Sequence, residues 1–259
     1  MSRVERGLAL VGLAFAVAFG ALAAPPQPRP LRGGSEFQGA EIRAMQADTF
    51  GNPGSLWVTR GAALWDEKRG RGACASCHGK AETSMKGVAA RYPKHDAALG
   101  RVVNLEQRIN ACVEGRQQAP ALAWESEALL ALTAYVAAQS NGTRVEVATE
   151  GPALAAYERG RALYVERQGQ LNVACTHCHD AHWGKTLLAE PISQGHPVDW
   201  PAYRLEWQSL GSLQRRLRAC YFGVRAEMPP FGSDDLVALE LYLAARARGL
   251  ATSVPGVRR

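Results

Sequence analysis

The sequence predicts a mainly α-helical protein built from two homologous halves, and three observations carry that reading. The segment "RGAALWDEKRGRGACASCHGK" (60–80) parallels "RGRALYVERQGQLNVACTHCHD" (159–180). "LEQRINACVEG" (105–115) parallels "LQRRLRACYFG" (213–223), and "LLALTAYVAA" (129–138) parallels "LVALELYLAA" (236–245). Three matched blocks in the same order, offset by about one hundred residues, mark a duplication more strongly than any block alone.

Each block reads as helix. "RGAALW" and "RGRALY" space their apolar residues three to four apart and run into a cysteine motif. Asn104 and Ser212 stand as N-caps ahead of the next helical runs. The long helices "LLALTAYVAAQ" and "LVALELYLAARARG" follow, the second stopped by Gly249. Alternating Val-, Ile- and Thr-rich runs are nearly absent, so no substantial sheet is expected.

The chain has 259 residues, 47% hydrophobic and 21% charged, with a formal charge of +6. That is ordinary for a globular protein of two domains. Residues 1–24, "MSRVERGLALVGLAFAVAFGALAA", have a basic start, an apolar run and small residues before Pro25. This is a secretory signal pattern, with cleavage near residues 23–24 and export to the periplasm. No later stretch approaches a membrane span. A Pro-rich leader, residues 25–50, is expected to be extended. The domains are then 51–145 and 150–250, with a tail at 251–259. The mild positive balance and the absence of a basic tract argue against nucleic acid and fit small anions or an acidic protein.

The chemistry lies in the cysteines. Cys74-Ala-Ser-Cys77-His78 and Cys175-Thr-His-Cys178-His179 are both C-x-x-C-H, the attachment signal of c-type haem. Two thiols one helical turn apart reach the two vinyl groups of one haem edge, and the following histidine meets the iron from its proximal side. A redox dithiol would need a βαβ setting, and a zinc site a second C-x-x-C nearby. The fold expected is therefore two tandem cytochrome c-like domains, each with one covalently bound haem c.

Cys112 and Cys220 occupy matching helix positions and are the cysteines left over. Matching positions in duplicated domains favour a distal iron ligand in each half. A Cys112–Cys220 disulfide is the competing reading in an oxidising compartment. Met228, in "EMPPFG", is another candidate ligand of the second iron, but alanine stands at its place in the first half. His95 and His196 have no counterparts and read as surface or pocket histidines. Arg216 lies one helical turn before Cys220, with Arg215 and Arg218 alongside. A guanidinium there lowers a thiol pKa and can hold an oxyanion. Arg108 stands in the same relation to Cys112, so the arginine alone is not diagnostic.

Nearly the whole chain after residue 24 resembles SoxA, the dihaem subunit of the SoxAX cytochrome of bacterial sulfur oxidation. The resemblance rests on "MQADTFGNPGSLWVTRGAALW", "CASCHGKAETSMKGVAARYP", "NLEQRINAC", "GQLNVACTHCHDAHWG", "SQGHPVDWPAYRLEWQSLGSLQRRLRAC" and "VALELYLAARARGL". It implies an L-cysteine S-thiosulfotransferase that joins thiosulfate oxidatively to a cysteine of the carrier SoxYZ. It further implies a heterodimer with the monohaem subunit SoxX and electron delivery to a downstream cytochrome c. Carried onto this sequence, the proximal ligands are His78 and His179 and the distal ligands Cys112 and Cys220. Cys220, as a persulfide, is then the catalytic sulfur, and Arg216 binds the substrate. The alternative of another class is a plain dihaem electron-transfer cytochrome.

Overall fold

The structure is a computed structural model that describes residues 30–259. The expected signal peptide, residues 1–24, lies outside the described residues. From Leu31 to Arg259 the chain forms one compact unit. Its helices are α1 (Ala40–Ala47), α2 (Ser55–Asp66), α3 (Cys74–His78), α4 (Ala81–Ser84), α5 (Leu105–Cys112) and α6 (Glu127–Ala138). They continue with α7 (Leu154–Val165), α8 (Cys175–His179), α9 (Leu213–Gly223) and α10 (Asp234–Arg246). The strands are β1 (Lys94–Asp96), β2 (Arg101–Val103), β3 (Thr186–Leu187), β4 (Glu190–Pro191), β5 (Ala202–Arg204), β6 (Ser209–Gly211) and β7 (Gly256–Arg258). Among the described residues no helix is long and apolar enough to cross a membrane.

The helices α2, α3, α5 and α6 recur in the same order as α7, α8, α9 and α10. In each set the first helix packs along the last: α2 on α6, and α7 on α10. A glycine makes each crossing close. A Cβ on Gly61 would stand 2.1 Å from the Ala131 carbonyl oxygen, and one on Gly160 would stand 2.0 Å from that of Ala238. Only glycine admits two backbones so near. Leu64, Leu132, Leu236, Leu239 and Leu241 are fully buried around these crossings. Each contributes about 1.5–3 kcal/mol relative to an exposed side chain. Val102, Val145 and Val147 share a core cluster with Val237, Leu241 and Ala244, which packs β2 and the segment after α6 against α10.

The expected caps form. Asn104 Oδ1 accepts from the Gln107 amide at 2.9 Å, and Ser212 Oγ from the Arg215 amide at 3.1 Å. Gly249 has φ +87°, a conformation that ends the chain's helical run after α10. The sets differ after the leftover cysteines: α9 continues to Gly223, whereas α5 ends at Cys112 and passes into a π-helical turn, Val113–Gln117.

Two expectations need correction. The leader is not wholly extended: a 3₁₀ turn (Gly34–Phe37) and α1 lie within residues 34–47. Gln46 of α1 explains the docking, because its side chain accepts from the Val257 amide and the Arg258 guanidinium, both at 3.0 Å. Residues 251–259 are not a free tail either. Their β7 pairs in parallel with β5, which pairs antiparallel with β6 on its other edge. Arg258 anchors this strand through a buried ion pair with Asp199. The three-stranded sheet is small, as the composition implies, yet it leads directly into α9 and its cysteine.

Candidate functional site

In the second helix set, α8 presents Cys175 and Cys178 one turn apart. Burial, and then the nearby Cys220 sulfur, push both thiols up, Cys175 to about 11. Cys175 packs among Leu163, Tyr164, Leu217 and Tyr221. His179 Nδ1–H donates to the Ser193 carbonyl at 2.8 Å. A carbonyl only accepts, so the proton sits on Nδ1 and the lone pair on Nε2. Gly195 lies against this ring at φ +75°, and a Cβ there would meet it at 3.2 Å. The orientation and tautomer that a metal-ligating imidazole requires are thus fixed by backbone.

Cys220 faces this group from α9, and its thiol hydrogen-bonds with His179. Burial pushes the thiol up, but Arg216, His179 and Arg204 together outweigh it and hold the pKa at about 7. The structure therefore brings Cys175, Cys178, His179 and Cys220 together, with Arg216 acting on the last. All six cysteines are free. Cys112 lies by Cys74 and Cys220 by Cys175, so the Cys112–Cys220 disulfide is not formed.

The first set is built in parallel but wired differently. Its α3 carries Cys74, Cys77 and His78. The Trp65 ring lies 5.7 Å from that of His78, and its indole N–H donates to the Gly79 carbonyl at 2.9 Å. Burial pushes the Cys74 thiol up, while the Gln117 amide, delivered by the π turn, lies 3.8 Å from its sulfur and opposes this. Arg108 pairs with Asp96 at 3.4 Å.

The charge around α9 sorts itself sharply. Arg215 stacks over Trp207 at 4.2 Å and reaches Glu125 at 4.0 Å. Arg218 lies over Phe231 at 4.4 Å and donates to the Pro229 carbonyl. Neither is among the largest influences on Cys220. Among the described residues Arg216 makes no ion pair, unlike its counterpart Arg108. Sequence reasoning missed Arg204, which acts on Cys220 from β5. No helical spacing signals it, because a strand hairpin rather than a helix brings it there.

The remaining candidates lie elsewhere. Met228 is 41% exposed in the loop after α9. His95 sits in β1 opposite Val102. His196 is buried, its Nδ1–H donating to the Arg32 carbonyl at 2.7 Å. Burial, then Arg246 and His179, hold its pKa below the ordinary range.

The donor set fits haem c. Each short helix offers two thiols on one turn, followed by an imidazole. In the second set that imidazole has a free Nε2 lone pair facing a sulfur.

Comparison with known proteins agrees. Residues 60–145 match the family described as "SoxA/TsdA, cytochrome c domain", which implies covalently bound haem c. The L-cysteine S-thiosulfotransferase subunit SoxA of Pseudaminobacter salicylatoxidans is 42% identical over 92% of this chain and 85% of that protein. The subunit of the same name from Paracoccus pantotrophus is 35% identical over 87% of this chain and 78% of that protein. The crystal structure of SoxXA from P. pantotrophus superposes with a TM-score of 0.84 at 35% identity, covering 88% of this chain and 86% of that one. With fold, donor set and near full-length similarity in agreement, the chain belongs to the SoxA family.

Proposed function

We propose that this chain is the haem-bearing subunit of an L-cysteine S-thiosulfotransferase acting in thiosulfate oxidation. One observation carries the reading: in one of two like-built sites, a cysteine sulfur lies against an unpaired arginine. Cys220 has both His179 and Arg216 acting on its thiol. A sulfur nucleophile with a free guanidinium beside it suits a substrate that is a sulfur dianion.

The residues divide as follows. Cys74 and Cys77 would hold one haem c and Cys175 and Cys178 a second, with His78 and Cys112, and His179 and Cys220, as the side chains that would ligate the two irons. Residues 51–145 and 150–250 are the duplicated halves. The reaction joins a carrier cysteine to thiosulfate: RSH + S₂O₃²⁻ gives RS–S–SO₃⁻, one proton and two electrons. The S–H bond breaks and one S–S bond forms. Haem, when bound, would supply the acceptor for those electrons, and a downstream cytochrome c would take them on. Arg216 holds the sulfonate end by charge-assisted hydrogen bonds. Cys220, carried as a persulfide, bonds through its outer sulfur to thiosulfate as the two electrons leave. The carrier thiol then takes the thiosulfate unit, releases its proton and regenerates the persulfide. The carrier is SoxYZ and the heterodimer partner is SoxX. The compartment is the periplasm, with the exporting signal peptide cleaved near residues 23–24.

Arg216→Met tests the reading. In the holoprotein with its partner subunit, KM for thiosulfate should rise about tenfold or more, as expected for loss of a hydrogen bond to a charged group. Arg108→Met, at the mirrored position, should leave that KM within about twofold. Equal effects at the two positions would contradict the assignment of the reactive sulfur to the second half.

A further inference from the structure

Arg204 is an arginine buried to 3% exposure at the end of β5. Its Nη2 donates to Glu190 Oε1 at 3.2 Å and to Glu206 Oε2 at 2.8 Å, and its guanidinium lies 5.0 Å from the Trp207 ring centroid. These contacts fix it in place. Its Nε–H, however, is buried with no acceptor. A buried donor left unmade is costly, and an arginine offers its donors as a fork suited to two oxygens.

Its surroundings sharpen the point. Burial and then the charge of Arg216 both disfavour the cationic form of Arg204. Two guanidinium groups therefore stand within each other's field, one of them without a carboxylate partner, beside the Cys220 sulfur. Cations gathered against their repulsion are stabilised by an anion between them. Glu206 is 66% exposed and screens weakly; Glu190, at 26%, comes from the β3–β4 hairpin.

We propose that Arg204 and Arg216 together form a two-guanidinium cradle for the sulfonate end of thiosulfate beside Cys220. The inference rests on the function proposed above and assigns the second cation of its substrate site. It gives the open Nε–H of Arg204 an acceptor, and it accounts for a buried arginine on the hairpin that feeds α9. Arg204 is a binding residue in this scheme, with Glu190, Glu206 and Trp207 positioning it.

The test uses the holoprotein with its partner subunit and varies thiosulfate at saturating carrier cysteine. Arg204→Lys keeps the charge but removes the Nε–H and the fork. KM for thiosulfate should rise about tenfold while kcat stays within about twofold. Glu190→Gln, on the surface hairpin, frees positive charge and should lower KM by about two- to threefold. It decides the matter even where Arg204→Lys fails to fold. Haem absorption spectra and reduction potentials should be unchanged in both. An unchanged KM in both variants, alongside a raised KM in Arg216→Met, would overturn the cradle and leave the reaction standing. Shifted reduction potentials with an unchanged KM would overturn it too, by making a haem carboxylate the anion that Arg204 binds. Wild-type holoprotein without thiosulfate-dependent turnover would instead overturn the reaction itself.

Discussion

Cys220→Met should lower thiosulfate-dependent turnover by at least about a thousandfold, the scale expected when a reacting nucleophile is removed. Methionine is the informative replacement because its thioether can still ligate iron but cannot form a persulfide or act as a thiolate. The substitution thus separates the ligand role of Cys220 from its reactive role. A thiolate ligand donates more electron density than a thioether, so the potential of that haem should also rise. Steady-state kinetics with the carrier cysteine and a redox titration check the two parts. Full turnover in Cys220→Met would reduce Cys220 to a ligand and place the reacting sulfur elsewhere.

The second large effect is on stability, at a cluster that the reaction does not use. Glu106 of α5 and Glu240 of α10 are 8% and 6% exposed and border a cavity of about 100 Å³ that Thr133 also lines. Asn104 Nδ2 donates to Glu240 at 3.2 Å, and Glu125 faces Glu106. Burial first, and then the neighbouring carboxylates, hold both groups above the ordinary carboxylate range. The folded state therefore keeps protons that the unfolded chain releases between the ordinary 4.5 and about 8. Unfolding releases protons in that window, so raising the pH favours it. The associated stability is fully present below the ordinary carboxylate pKa and is lost as pH climbs through the folded value. The loss should be on the order of 3 kcal/mol, or about 5–10 °C in Tm, between pH 5 and pH 8. The Glu106→Gln/Glu240→Gln double variant should flatten this dependence in thermal melts of the holoprotein. An equally steep fall in the double variant would place its cause elsewhere.

The helical frame was legible because its signals are local. Asn104 and Ser212 cap as their sequences imply, and the repeated glycines 61 and 160 mark the same helix crossing. The thiols of α3 and α8 and their histidines follow from adjacent residues. The approach of Cys220 to His179 follows from the repeat, because matching helices fall in matching places. What the repeat could not convey is the difference between the halves. Arg108 is neutralised by Asp96, a residue twelve positions upstream with no helical relation to it. Arg215 and Arg218, which look like added charge in the sequence, are spent on Trp207, Phe231 and the Pro229 carbonyl. Arg204 acts from a strand whose partner β7 lies more than fifty residues further on. Pairing at that range leaves no period in the sequence, so both the sheet and its arginine were invisible there. The same long-range pairing explains why residues 251–259 read as a tail.

Intact mass reads the reactive role proposed for the Cys220 sulfur without recourse to kinetics. Mature holoprotein isolated from cells oxidising thiosulfate should carry one extra sulfur, about 32 Da, that a thiol reductant removes. Peptide mapping should place it on Cys220, and Cys220→Ala should lack it. An unmodified mass in active protein, or the extra sulfur on Cys112, would contradict the account.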